Sequence, residues 1–176
     1  IFSGGLQNGI ITEISGLRGT GKTQLALQFA IDPLRNNKKI LFIDTTVEFR
    51  PERFLQMLQS RNLPASLLEN LHVSRVTDTH KQIEILKTLD KNYFSLLIID
   101  NITDLFSFEY SKKEHLIEKN TNFGNYMINL SQITQSENIP IIITNQIFSH
   151  DETNYQRMHA HLENYIHQKI HLEKIK

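Results

Sequence analysis

The segment Gly16-Leu17-Arg18-Gly19-Thr20-Gly21-Lys22-Thr23 carries the spacing Gly-x-x-x-x-Gly-Lys-Thr in full. Residues of these types at this spacing hold phosphate. Gly16, Gly19 and Gly21 let the backbone curl until successive N–H groups point inward at an anion. A helix starting directly afterwards adds the positive end of its dipole. Lys22 brings a point charge to the β- and γ-phosphates of a nucleotide, and the Thr23 hydroxyl is a ligand for Mg²⁺. A magnesium site wants a second oxygen from an acid at the end of another apolar strand, and Leu96-Leu97-Ile98-Ile99-Asp100 ends in one. The competing role for Asp100 is a helix cap or turn. Asp44 also closes an apolar run, a shorter one, and is the second candidate.

These residues must be positioned by strands and helices. Gly9–Ile14 reads as a buried strand, and Lys22–Ile31 as a helix with Leu25, Leu27, Phe29 and Ala30 for a sheet to cover. Lys39–Asp44 is a second strand. Pro51 then opens a helix with Glu52 in its first turn. Leu71–Val76 is a third strand, followed by a helix with Ile83, Leu86 and Leu89 on one face. Phe94–Asp100 is apolar almost throughout, as a central parallel strand should be. A long helix over Leu116–Glu137 presents Phe123, Met127, Leu130 and Ile133, and Ile139–Asn145 is a fifth strand. Near the end, Ile166, Ile170 and Leu172 alternate with polar residues, the pattern of an edge strand with one wet face. The predicted class is α/β, with a mostly parallel central sheet, helices on both faces and an antiparallel edge strand at the C-terminus. Such sheets bind ligands beyond the carboxyl ends of their strands.

Composition narrows the class further. The 176 residues suffice for one domain with a core. Lys+Arg and Asp+Glu both number 19, so no overall basic charge announces a nucleic-acid binder, and any such surface must be a local patch. With no cysteine, disulfides and thiolate metal sites are excluded. No apolar run approaches the roughly 20 residues that span a bilayer. No signal peptide is visible, so no membrane role is expected and an intracellular setting is, cytoplasmic or nuclear. Residue 1 is Ile, which suggests that the natural start lies elsewhere.

Five stretches, in order, resemble the RecA/RadA recombinase family in its archaeal and eukaryotic branch. They are Gly4–Gly16, Gly19–Ala30, Phe42–Phe54, Leu96–Ser111 and Ile139–Ile147. The third resembles a signature written Asp-Thr-Glu-Gly-Thr-Phe-Arg-Pro-Glu-Arg. The resemblance covers nearly the whole chain. It implies a single RecA-type P-loop NTPase core over residues 1–176, without the family's N-terminal helical domain. It also implies ATP and Mg²⁺ as cofactors, a nucleotide site at a protomer interface, and single-stranded DNA bound by two loops beyond the strand ends. Gln146 matches the residue that senses the γ-phosphate; capping loose backbone groups is its other reading.

The departures matter as much. Thr46 stands where the family has its water-activating glutamate, and a hydroxyl is too weak a base for that task. Glu48 follows about 6–7 Å further along an extended segment and replaces it only if the turn rearranges. In the first DNA loop, Lys112 and Lys113 fall where the family has Gly and Arg; they contact phosphate or form a solvated turn. The second loop, from Phe148 to about Met158, is short. Arg157 and the cluster His150, His159 and His161 are its candidate phosphate contacts, and no third ligand completes a metal site at His159-x-His161. The family's Phe-x-x-Ala assembly motif is absent. Together these features resemble a RadB-like recombinase paralogue. Such a protein binds ATP and single-stranded DNA, hydrolyses ATP weakly, and assists a RadA-type recombinase or another paralogue in homologous-recombination repair. The core of an active strand-exchange recombinase, or a KaiC-like ATP-binding signalling module without a DNA role, are the alternatives.

Overall fold

A computed structural model describes residues 5–90, 92–147 and 161–174. The chain runs β1 (Ile11–Gly16), α1 (Lys22–Arg35), β2 (Ile40–Asp44), α2 (Pro51–Gln59), β3 (Leu71–Arg75), α3 (Thr79–Lys87), β4 (Leu96–Asp100), α4 (Asp104–Glu109), α5 (Leu116–Ser136), β5 (Ile141–Gln146) and β6 (Gln168–Leu172). Single 3₁₀ segments cover Ala65–Asn70 and Lys113–His115. Among the described residues no helix is long and apolar enough to cross a membrane.

The six strands lie in the order β3-β2-β4-β5-β1-β6. Alternation along each strand builds two cores. Ile11, Leu41, Ile43, Leu97, Ile99, Ile141 and Ile143 face one side, against Leu86 of α3, Phe106 of α4 and Phe123, Tyr126, Met127 and Leu130 of α5. Ile14, Ile40, Phe42, Leu96, Ile98 and Ile142 face the other, against Ala26, Ala30 and Leu34 of α1 and Phe54 and Leu58 of α2. Covered on both faces, β2 and β4 are buried at every residue. The edge strands β3 and β6 alternate instead, which is why their sequences look amphipathic.

Two expectations need correction. β6 is an edge strand with one wet face, but it runs parallel to β1, pairing Thr12 with Gln168 through Gly16 with Leu172. A period of two reports the wet face and is silent on direction. The His167 amide donates to the Ile11 carbonyl at 3.0 Å, so β6 starts beside the start of β1. The stretch 147–167 is long enough for the crossover that parallel pairing requires. β1 also begins later than predicted: Gly9 has φ +73°, a left-handed conformation that ends strand geometry before Ile11.

Register sets up the site. Gly16 pairs with Gln146 across β1 and β5, and Asp44 pairs with Asp100 across β2 and β4. The last residues of four strands thus gather at the carboxyl edge of the sheet, with Asp44 and Asp100 set two residues back from Gly16 and Gln146.

Candidate functional site

The glycine-rich loop leaves β1 at Gly16 and enters α1 at Lys22. Gly19 and Gly21 have φ +74° and +93°, values that a side chain resists. Gly16 is required by space as well. A Cβ there would lie 2.5 Å from the Leu172 carbonyl oxygen and 2.8 Å from the Thr20 hydroxyl, so β6 braces the loop from behind. Thr20 Oγ1 donates to the Leu17 carbonyl at 2.9 Å, tightening the turn. Leu17 is half exposed and the Arg18 side chain reaches into solvent. Lys22 folds back over the loop, donating from Nζ to the carbonyls of Gly16 (3.0 Å) and Leu17 (2.9 Å). Burial pushes the Lys22 ammonium below its usual value, against the pull of Asp100, Asp104 and Glu48.

Opposite the loop, Thr23 Oγ1 donates to Asp100 Oδ2 at 2.6 Å, and Thr144 donates to Asp100 Oδ1. Burial raises the Asp100 carboxyl above the ordinary carboxylate range; the two hydroxyls, first Thr144 and then Thr23, oppose that shift. Two hard oxygens from separate elements therefore converge beside a phosphate cradle. That donor set fits Mg²⁺, which uses one or two protein oxygens and completes its shell with phosphate and water. The cleft has a volume of about 750 Å³. Lys22, Thr23, Thr46, Glu48, Asp100 and Gln146 all line it, so the structure brings these predicted residues together.

Asp44, the second metal candidate, faces a different task. It is fully buried, and its carboxylate is taken up by the turn that follows. Oδ1 accepts from the Thr46 amide (3.2 Å), the Thr46 hydroxyl (3.0 Å) and the Glu48 amide (3.3 Å), and Oδ2 accepts from the Phe49 amide (3.0 Å). The turn is not extended. Val47 sits at φ +57°, where the family signature has glycine, and the bend swings Glu48 to the cleft mouth. There the Glu48 side chain is 68% exposed and meets Arg18 at 3.6 Å. Thr45 has a structural role: its hydroxyl donates to the Asn101 carbonyl and accepts from the Asn101 amide, both at 2.7 Å.

Behind the site runs a buried polar chain. Asn145 Nδ2 donates to Glu13 at 2.8 Å, and the Thr103 hydroxyl lies 3.1 Å from both Asn145 Oδ1 and Asn101 Oδ1. It ties β1 and β5 to the segment after β4, one residue from Gln146 and one from Asp100. The DNA candidates lie elsewhere. Lys112 is exposed and pairs with Glu114 at 3.9 Å, while His115 contacts Glu114 and Glu118. Lys113 opens a 3₁₀ turn. Arg157, His150 and His159 lie outside the described residues.

The cleft also holds residues that the sequence did not single out: Arg53, Phe108 and above all Asp104. Asp104 is the first residue of α4 and half-buried. Burial, and then the nearby Asp100, raise its carboxyl above the usual range. In the sequence it looks like an ordinary acid in a helix's first turn. Its closeness to Asp100 was the available signal.

Comparison with known proteins agrees with this geometry. The Rad51 family model matches residues 1–171. The DNA repair and recombination protein RadA of Cenarchaeum symbiosum is 31% identical over 160 residues, covering 85% of this chain and 40% of that protein. The meiotic recombination protein DLH1 of Candida albicans is 32% identical over 160 residues, covering 85% and 49%. The DNA repair and recombination protein RadB of Thermococcus sibiricus is 31% identical over 158 residues, covering 88% and 66%. The chain thus spans about half the length of the curated relatives it matches. On its strand order, its phosphate loop and a family match through nearly its whole length, this chain belongs to the Rad51 family.

Proposed function

We propose that this chain is the ATP-binding core of a RadB-like recombinase paralogue acting in homologous-recombination DNA repair. It binds ATP with Mg²⁺ through Gly16–Thr23 and Asp100, hydrolyses it weakly, and assists a RadA-type recombinase or another paralogue. The observation that carries this reading is the Thr23–Asp100 pair at 2.6 Å beside the glycine loop, together with Thr46 at the catalytic position. The first half supplies nucleotide and magnesium binding. The second removes the usual base, because the Thr46 hydroxyl is already donated to Asp44 and is a poor proton acceptor.

Gln146 is the γ-phosphate sensor in this reading. It ends β5 in register with Gly16, inside the same cleft. Single-stranded DNA binds through Lys112, Lys113 and Arg157. The acidic neighbours Glu114 and Glu118 make the first loop's charge mixed, and the affinity modest. The nucleotide site lies at an interface between protomers.

The test is ATP binding and steady-state hydrolysis, with and without single-stranded DNA, for the wild type and Lys22→Ala. The expected result is Mg²⁺-dependent binding that Lys22→Ala weakens by about 100-fold or more, and hydrolysis well below about 1 per second, the low end of ordinary turnover. Fast, DNA-stimulated hydrolysis would favour an active strand-exchange recombinase instead. The placement of Glu48 at the cleft mouth is the observation on that side. ATP binding with no steep salt dependence of DNA affinity would favour a signalling module.

A further inference from the structure

We propose that Asp104 is the catalytic carboxylate of this chain, receiving the proton of the attacking water in ATP hydrolysis. The proposal rests on the reading of the cleft as an ATP site. The family resemblance implies a glutamate in this role at the position of Thr46.

Among the described residues, three acidic side chains face the cleft: Asp100, Asp104 and Glu48. Asp100 is committed, with one oxygen bonded to Thr23 and the other to Thr144. Glu48 is mostly in solvent, held 3.6 Å from Arg18, and carried on a turn bent through a left-handed valine. A water bound there would be exposed to bulk, and Arg18 would compete for the carboxylate. Asp104 differs on each count. It is half-buried and begins α4, whose neighbouring Leu105 and Phe106 are packed into the core, so its backbone is fixed. Among the described residues no donor or cation lies within hydrogen-bond or ion-pair distance of its carboxylate, which leaves both oxygens for water.

Position agrees. Lys22 marks where the β- and γ-phosphates go. Asp104 lines the same cleft as Lys22, Thr23 and Gln146, so its carboxylate shares the space that the terminal phosphate enters. The step balances simply. The water oxygen bonds to the γ-phosphorus, and the bond from that phosphorus to the β,γ-bridging oxygen breaks. The bridging oxygen leaves with the electron pair as part of ADP. One water proton passes to Asp104 and on to solvent. The products are ADP and inorganic phosphate, and nothing is oxidised or reduced.

The experiment is single-turnover ATP hydrolysis with protein in excess, alongside binding of a non-hydrolysable ATP analogue with Mg²⁺. The variants are Asp104→Asn, Asp104→Glu and Glu48→Gln. Asp104→Asn is expected to slow hydrolysis by about 100-fold or more while analogue affinity stays within about threefold. Asp104→Glu keeps more activity than Asp104→Asn, and Glu48→Gln slows hydrolysis less than Asp104→Asn does. The proposal is overturned if Asp104→Asn leaves the rate unchanged, if it abolishes analogue binding, or if the loss appears in Glu48→Gln. A wild type that binds the analogue but never hydrolyses ATP overturns this inference and leaves the nucleotide-binding reading intact. A wild type that binds no analogue overturns both.

Discussion

Asp44 and Asp100 are neighbours in register, each ending a buried strand and each followed by residues that could serve a nucleotide. Their surroundings divide the work. Asp44 turns its carboxylate onto its own chain and holds the amides of Thr46, Glu48 and Phe49. Asp100 turns outward, taking hydroxyls from α1 and β5 and keeping its carboxylate beside the phosphate loop. The first acid builds a turn and the second builds a site. What separates them is how many backbone donors the following residues bring back to the carboxylate, not the strand or the residue type.

The sharpest way to break this contrast is Asp44→Ala. It leaves the buried Phe49 amide and the part-buried Thr46 amide without an acceptor, and should cost about 3 kcal/mol of stability. For a domain of this size that lowers the melting temperature by about 6–12 °C, read by thermal unfolding without nucleotide. A loss under about 1 kcal/mol would mean the turn is held by something else.

Asp100→Asn should do the opposite to the nucleotide-free protein. Burial holds the Asp100 carboxyl above its ordinary value of 3.8, so the folded state takes the proton more readily than the unfolded one. Its destabilising effect is absent in acid and grows as pH rises through the raised value. Above that value the asparagine variant should therefore melt about 2–4 °C higher than the wild type, an advantage that fades toward pH 3.8, and should gain nothing from Mg²⁺ with ATP. Equal melting across the whole pH range would show that Thr23 and Thr144 fully offset the burial.

The smallest effect belongs to Val47→Gly. Removing a β-branched side chain from φ +57° relieves strain, while glycine adds freedom to the unfolded chain. The net gain expected is about 0.5–1 kcal/mol in chemical denaturation. A loss of stability would mean that the Val47 side chain contributes contacts outweighing the strain.

The sequence showed most clearly what local spacing dictates. The loop from Gly16 to Thr23 and the apolar run ending in Asp100 are continuous patterns with a known geometry. The long α5 and the fully buried β4 announced themselves by period and run length. Asp44 could not be separated from Asp100, because its four donors arise only once the turn has bent. Asp104 was hidden because its approach to Lys22 is set by the turn between β4 and α4. That helix is six residues long, too short to show a period. The direction of β6 was hidden because a connection, not the strand itself, decides it. The tie between Glu13 and Asn145 joins residues far apart in sequence, and no local pattern reports such a pair.

The pairing of β1 has a consequence for the order in which the molecule becomes whole. Both of its neighbours, β5 and β6, follow it at long sequence separation, and Ile11, Thr12 and Ser15 reach across to His167, Gln168 and His171. As the chain is made, the phosphate loop appears well before the strands that wall it. Contacts of such long sequence separation form late and slowly. Until residue 172 has been added, the nascent chain carries the motif without the brace behind Gly16. Nucleotide binding should therefore begin only after β5 and β6 have both been made.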